Sequence, residues 1–270
     1  KYFVNKPYLS GYGGPTSTST RKGQWQYFRD EPGPNQSCTT QPITPLTGNE
    51  ASLHDAIDAM SATGNTNVPE GLAWGWRTVS SKAPFTEGVD EDRKDIDKVV
   101  IVLTDGADTY ADLANSSGDD VAGNKTAYAA YGVTGYAGNG GTNGTASPSN
   151  AANAARLFAG TSASKTDHSD ANYQKAMDDR MLAICNNIKG QNIILMTVAL
   201  DLDPANFDTA AEKTAVNKAL ETLTSCAGDS KTRKLANGDP AKLFWNDKSD
   251  TLDQTFREIS DELSNLRFTM

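Results

Sequence analysis

Two long runs of aliphatic residues stand out in an otherwise polar chain. Residues 99–103 are five consecutive aliphatic residues that end at a Thr-Asp-Gly turn, and residues 192–200 form a second run followed by Asp201 and Asp203. A short apolar run that stops at turn residues is typical of a strand buried on both faces of a sheet. Residues 243–245 predict a third, shorter strand.

Around these runs, apolar residues recur every three or four positions, which predicts helices with one buried face. Asn49 suits the cap of the first helix, and Pro69 suits the first turn of the second. Strands alternating with helices predict an α/β fold, a doubly wound, mostly parallel sheet with helices on both faces. The predicted buried stripes are Leu53, Ile57 and Met60; Leu72, Trp76 and Val79; Met177, Met181, Ile184 and Ile188; Val216, Leu220 and Leu223; and Leu252, Phe256, Ile259 and Leu263.

The chain is interpreted as a single domain, residues 1–270, with long loops. Residues 1–48 are rich in Gly, Pro, Ser and Thr, which is typical of irregular surface chain. Residues 80–97 carry charges of alternating sign, which predicts a solvated face. Residues 107–168 form a long Gly-rich insertion with no packing pattern, and such a loop is either functional or disordered.

Charge and hydropathy exclude several classes of partner. The formal net charge of -9 argues against binding to nucleic acid or to an anionic membrane surface. Neither aliphatic run approaches the ~20 residues of a membrane span. No signal segment follows Lys1, so we expect a chain that is soluble as given and that is a piece of something longer.

The usual enzyme motifs are absent or poorly formed. The closest match to a dinucleotide-binding fingerprint, residues 138–143, lacks the last Gly and lies in a loop, and no Gly-Lys-Ser/Thr phosphate loop occurs. Ser162 and Lys165 fit a Ser-x-x-Lys pattern without its companion motifs, so we treat that match as chance. Neither His54 nor His168 lies on a strand-end turn beside a nucleophile. The chain is therefore predicted not to be an enzyme.

Two oxygen-bearing side chains remain as candidates for binding. Asp105 follows a predicted strand at the edge where α/β sheets hold ligands, and the Thr66 hydroxyl precedes a predicted helix in a Gly-Asn-Thr-Asn turn. Hard cations such as Mg²⁺ take oxygen ligands of this kind, although two ligands are too few for a site. A plain helix cap explains the Thr66 turn at least as well.

Together these residues resemble the von Willebrand factor A domain, a Rossmann-like fold with a metal-ion-dependent adhesion site. Residues 64–67 match the family's Gly-x-Thr-Asn motif, and residues 103–106 match its aliphatic strand ending in Thr-Asp-Gly. The resemblance implies that Thr66 ligates Mg²⁺ or another divalent cation and that Asp105 holds a metal-bound water. A carboxylate of a protein partner would then complete the coordination.

A narrower resemblance is to the TadG-like proteins that assemble Tad/Flp pili in bacteria. It implies a location on the periplasmic or extracellular side of the cell envelope. It also implies protein partners from the pilus or secretion apparatus, no nucleic acid, and membrane anchoring only through a segment outside this chain. The residues that carry the likeness are 69–77, Cys185, Leu223, Cys226 and 263–267.

One departure from the family pattern changes what is expected of the site. The Asp-x-Ser-x-Ser motif, which supplies most direct metal ligands in the family, does not occur. By family order it would precede Lys1, so we expect this chain to be the carboxyl-terminal part of the domain, with an incomplete metal site. One alternative is a structural A domain without functional metal. A less favoured alternative is a hydrolase in which Ser162 is the nucleophile that becomes acylated.

The three cysteines are too few for a disulfide scaffold and lack the paired spacing of a zinc site. Cys185 and Cys226 flank the second predicted strand and can pair across it in an oxidising compartment. The envelope location that the resemblance implies adds to the case for this disulfide. Cys38 is left over, and a cysteine outside this chain is its expected partner.

Overall fold

The computed structural model describes nine segments of the chain: residues 41–62, 65–93, 95–109, 126–129, 132–135, 158–164, 170–191, 193–228 and 241–267. The chain divides into two compact units. One comprises Lys1–Thr39, Ala111–Ala159 and Ser164–Asn172, and the other comprises Thr40–Tyr110, Gly160–Ala163 and Tyr173–Met270. Cys38, Lys165 and His168 lie outside the described residues, so the expectations placed on them stay predictions.

Helices and strands alternate along the larger unit, and their order follows the sequence pattern. No described helix is long and apolar enough to cross a membrane. In chain order the elements are α1 (Glu50–Asp58), α2 (Val68–Val79), β1 (Lys98–Thr104), β2 (Thr126–Ala129), β3 (Gly132–Gly135), α3 (Asp170–Gly190), β4 (Ile193–Leu200), α4 (Ala210–Cys226), β5 (Phe244–Asp247) and α5 (Leu252–Arg267).

A three-stranded parallel sheet organises this unit, in the order β1-β4-β5. The register pairs Lys98 with Ile193 at the start of β1 and Thr197 with Phe244 at the start of β5. Parallel neighbours need a crossover connection, and α3, α4 and the loops around them supply it. The prediction of an α/β fold is confirmed, and each predicted strand is found within two residues of its expected bounds.

β4 is the central strand, and all eight of its residues are buried. On one face, Ile193, Leu195 and Ala199 pack in a cluster with residues of α2, α3 and α4, including Leu72 and Met181. On the other face, a second cluster joins β4 to β5 and α5. Full burial on both faces explains why β4 reads as a continuous aliphatic run rather than as an alternating pattern.

β1 lies at the edge of the sheet and is only half covered. Val100 and Val102 are buried against α2, whereas Ile101 and Leu103 on the opposite face are 38% and 45% exposed. Within the described residues β1 pairs only with β4. The prediction that this strand is buried on both faces is therefore wrong for its outer face.

The stripe predicted for α1 is not buried. Asn49 caps the helix as predicted, accepting a hydrogen bond from the Ser52 N–H at 3.1 Å, but the helix ends at Asp58. Leu53, Ile57 and Met60 are 39%, 59% and 68% exposed. Helical spacing shows that these residues share a face, but it does not supply a surface to cover them. Phe256, assigned to a buried stripe of α5, is likewise exposed.

The charged connector is not simply a solvated face. The Glu91 carboxylate accepts hydrogen bonds from the Ser80 and Ser81 hydroxyls, at 2.8 and 2.9 Å, and from the Ser81 N–H. It also lies 3.4 Å from the Lys98 ammonium, whose side chain is only 8% exposed. Glu91 therefore ties the end of α2 to the start of β1. The spacing of charges could not reveal these contacts, because it does not show which residues come close to Glu91 in the folded chain.

The other unit contains a short antiparallel ribbon. β2 pairs with β3, with Thr126 opposite Gly135 and Ala129 opposite Gly132. Both strands lie within the Gly-rich insertion, residues 107–168, in which the sequence shows no packing pattern.

Candidate functional site

α2 begins at the carboxyl edge of β1, and its cap fixes the turn that contains Thr66. The Asn67 side chain accepts a hydrogen bond from the Glu70 N–H at 3.1 Å, and Pro69 lies in the first turn. Asn67 is thus the helix cap, which confirms the capping interpretation of this turn. Because Asn67 fills that role, the half-buried Thr66 hydroxyl is not used as the cap.

Three hydrogen bonds join this turn to the loop after β1. The Thr66 N–H donates to the Thr109 hydroxyl at 2.7 Å, and the Thr109 N–H donates to the Thr66 carbonyl at 3.0 Å. The Val68 N–H donates to the Asp108 carboxylate at 2.8 Å. Two segments about 40 residues apart in the sequence are therefore held together at one edge of the sheet.

The Thr-Asp-Gly turn is closed by its own threonine. The Thr104 hydroxyl donates to the Gly106 carbonyl at 2.9 Å and accepts from the Gly106 N–H at 3.3 Å. A Cβ atom added at Gly106 would lie 3.9 Å from the Thr66 hydroxyl oxygen, so that hydroxyl faces the turn. Asp105, which lies between Thr104 and Gly106 in the sequence, is exposed. The structure thus brings Thr66 and Asp105 to the same edge.

This arrangement fits a divalent cation only in part. A hydroxyl and a carboxylate are suitable oxygen donors for Mg²⁺. Among the described residues, however, no group of three or more His, Cys, Asp or Glu side chains is placed to hold a metal ion. The positive end of α2 lies beside the same turn and disfavours a cation there. A cation at Thr66 and Asp105 would need further oxygen ligands from water or from outside the described segments.

Two buried carboxyl groups near this edge escaped the sequence analysis. Burial raises the pKa of Asp108 to about 7, although the Val68 N–H opposes the shift, and the neighbouring Asp178 carboxylate adds to it. Burial also raises the pKa of Asp178 to about 6, with Lys218 opposing and Asp179 adding. In the sequence Asp108 is only a polar loop residue, and its bond to Val68 depends on tertiary structure.

The two carboxylates that follow β4 both accept backbone hydrogen bonds, Asp201 from the segment after β5 and Asp203 from its own loop. Asp201 adopts a left-handed backbone conformation with φ 54°, and its carboxylate accepts a hydrogen bond from the Ser249 N–H at 3.3 Å. Asp203 caps a single 3₁₀ turn by accepting from the Ala205 N–H. Asp is one of the few residues that tolerate this left-handed conformation. These two residues shape the edge of the sheet.

Ser162 lies among polar side chains in the described part of the chain. Its hydroxyl and its N–H both donate to the Asp179 carboxylate at 2.7 Å, and Lys175 donates to the hydroxyl oxygen. Lys175 is half exposed, and its Nζ atom lies 3.7 Å from the Asp179 carboxylate. The one described histidine, His54, is exposed on α1 beside Glu50.

Cys185 of α3 and Cys226 of α4 form the predicted disulfide. Their Cα atoms are 5.2 Å apart, and both residues are fully buried in the core cluster that also contains Leu195 of β4. The bond therefore links the two helices that cover one face of the central strand.

Comparison with known proteins gives no family assignment. No protein-family model, no curated protein and no solved structure matches this chain. The fold and the placement of Thr66 and Asp105 are therefore the basis for any functional conclusion.

Proposed function

We propose that this chain is a non-enzymatic binding and assembly module of a bacterial cell-envelope protein, built on a doubly wound von Willebrand factor A-like domain. The observation that carries the proposal is the joining of the Thr66 turn to the loop after β1. It supports the proposal because Thr66 and Asp105, which match two motifs of that family, lie at one edge of the sheet. The parallel sheet, with α2, α3 and α4 on one face and α5 on the other, agrees with the proposed fold.

In this proposal Thr66 and Asp105 contribute to a site for Mg²⁺ or another divalent cation. The Thr66 hydroxyl would ligate the ion directly, and the exposed Asp105 carboxylate would hold one of its waters. The bound cation would supply the positive charge that attracts a carboxylate of a protein partner. The hydrogen bonds at Asp108 and Thr109 keep the two turns in register for this task.

The proposed location and partners follow from chemistry as well as from the resemblance. A buried disulfide forms and persists in oxidising compartments, which favours the periplasmic or extracellular side of the envelope. The net charge of -9 disfavours nucleic acid, so we propose a protein partner from a pilus or secretion apparatus.

Titration with Mn²⁺, followed by its paramagnetic broadening of amide signals, tests the cation site. We expect broadening centred on residues 65–67 and 105–109. Thr66→Ala or Asp105→Asn should weaken the affinity about tenfold or more, by loss of a ligand or of a held water. The matched control is Asp203→Asn, which removes one charge at the same edge of the sheet and should leave binding unchanged.

The same titration distinguishes an A-like domain in which the metal has no role. That alternative is favoured by the lack of a three-residue ligand group in the described part of the chain. It predicts no localised broadening and equal melting temperatures with Mg²⁺ and with a chelator. Such a result would remove the cation from the proposal.

A further inference from the structure

A buried carboxyl group holds the loop after β1 against the start of α2. Asp108 is only 7% exposed, and its carboxyl group accepts a hydrogen bond from the Val68 N–H at 2.8 Å. The next residue, Thr109, exchanges two hydrogen bonds with Thr66. All three bonds thus come from two adjacent residues of the loop. A change in the charge of Asp108 therefore acts at the place where the two segments meet.

The surroundings of Asp108 disfavour its charged form. Burial removes the water that would solvate a carboxylate, and among the described residues only the Val68 N–H, at the positive end of α2, replaces it. The half-buried Asp178 of α3 adds a second negative charge when both groups ionise. Burial, together with this second charge, raises the pKa of Asp108 to about 7. The two carboxyl groups therefore titrate as a pair.

The other charged groups around this pair act on Asp178. Burial is the main cause that raises the pKa of Asp178 to about 6, while Lys218 of α4 opposes the shift and Asp179 adds to it. The Lys218 ammonium also lies 3.5 Å from the Glu221 carboxylate, which offsets part of its charge. The pair therefore has little positive charge to balance it, and it retains a proton close to neutral pH.

We propose that Asp108 and Asp178 form a proton-binding pair that acts as a pH-sensitive latch between the loop after β1 and the first turn of α2. With the proton bound, Asp108 stays buried and the three hydrogen bonds keep the latch closed. When the proton passes to water, the two carboxylates repel each other, and Asp108 regains hydration by moving outward with its loop. The latch does not depend on the cation site and is tested without metal, so either proposal can fail alone.

A pH titration of the full chain, followed by the carbon-13 signals of the aspartate carboxyl groups, tests the pair. We expect Asp108 to titrate near pH 7. Asp178→Asn should lower that midpoint by about half a unit or more, because it removes the second charge. The matched control is Asp203→Asn, which removes a charge from the loop after β4 and should leave the midpoint unchanged. Titration of Asp108 near its ordinary value of about 4, or a midpoint that Asp178→Asn does not move, overturns the pair.

Amide hydrogen exchange between pH 4 and pH 8 tests the latch. The opening equilibrium of the Thr66, Val68 and Thr109 N–H groups should increase by up to about tenfold per pH unit and level off above pH 7, where Asp108 is already ionised in the closed form. Asp108→Asn keeps an acceptor for Val68 but cannot ionise, so it should remove most of this increase. The Thr197 N–H of β4, which donates to the Leu243 carbonyl, should stay about tenfold or more better protected.

Two outcomes overturn the latch. One is the same pH dependence of exchange in the wild type and in Asp108→Asn. The other is opening of the Thr66, Val68 and Thr109 groups only together with Thr197, because the whole unit then unfolds and no local latch exists. Asp178→Asn guards against a misfolded Asp108 variant, since Asp178 makes none of the three hydrogen bonds. It should reduce the increase about tenfold for each unit by which it lowers the pKa of Asp108.

Discussion

The two ends of α2 are both held by a carboxylate, but the two carboxylates are stabilised in opposite protonation states. At the carboxyl end, Glu91 accepts three hydrogen bonds from Ser80 and Ser81 and faces the Lys98 ammonium. At the amino end, Asp108 accepts one hydrogen bond, from the Val68 N–H, and is otherwise buried. One end is thus rich in donors and the other is poor in them.

The two carboxyl groups differ both in burial and in the number of donors, since Asp108 is 7% exposed and the Glu91 side chain 18%. Burial acts to raise the pKa of Glu91, but the hydroxyl and N–H donors outweigh it and lower that pKa to about 2. With a single donor, burial prevails at Asp108 and its pKa rises to about 7. Near neutral pH, α2 is therefore fixed by an anion at one end and by a carboxyl group that is about half protonated at the other.

The largest expected effect comes from breaking the donor-rich end. Glu91→Ala should lower the free energy of unfolding by about 3 kcal/mol, because it leaves the Lys98 ammonium buried without a counter-ion. Urea unfolding followed by circular dichroism measures the loss. Replacing Lys98 as well, by Met, should restore most of it. Equal instability of the single and double variants would show that the ion pair does not hold this end.

Removing the disulfide sharpens the comparison, because that bond lies at neither end of α2. Replacing Cys185 and Cys226 together by Ala should cost about 2–4 kcal/mol, since the unfolded chain loses a 41-residue constraint. The loss should be similar at every pH. A variant whose stability no longer varied with pH would mean that the pH dependence does not originate at Glu91 and Asp108. Wild-type protein with its disulfide reduced is the matched control.

The pH profile tests the two carboxyl groups against each other. The pKa of Glu91 is lower in the folded state than in the unfolded chain, so its contribution is present above pH 4.5 and is lost as the pH falls towards 2. The pKa of Asp108 is higher in the folded state, so its contribution is full below pH 3.8 and is lost as the pH rises through 7. Stability should therefore be greatest near pH 4 to 5.

Amide variants separate the loss of stability at acid pH, the acid limb of this profile, from the decline towards pH 7. Asp108→Asn keeps an acceptor for the Val68 N–H but cannot ionise, so it should flatten the decline towards pH 7 and leave the acid limb unchanged. Part of the decline should remain, because the pKa of Asp178 is also raised, to about 6. Glu91→Gln should flatten only the acid limb. Thermal melts across the pH range report both, and an unaltered profile in either variant would contradict its assignment.

The sequence was sufficient for the elements of the sheet, because burial on both faces leaves a continuous aliphatic run. β4 is the clearest case, and Asn49 shows that a cap can be read from residue type alone. It was harder to predict which faces of each helix and strand are covered by other parts of the protein. The apolar face of α1 and the outer face of β1 have the residues of buried surfaces, yet Ile57 and Ile101 are exposed.

In the candidate site, too, the sequence could predict some residues and not others. Thr66 and Asp105 could be placed at one edge from local motifs and from the rule that parallel strands end together. The residues that hold this edge in place could not be predicted from local motifs, because their partners are distant in sequence. Asp108 binds Val68, 40 residues away. Glu91 binds Ser80, 11 residues away, within a connector whose charges predict a solvated face.

The disulfide between α3 and α4 also closes a covalent ring around the central strand. The ring runs from Cys185 to Cys226 and contains all of β4 together with the exposed turn at Asp203 and Ala205. If a protease cuts the backbone at that turn, both fragments stay joined through sulfur. The middle of the sheet is thus protected against loss by a single cleavage.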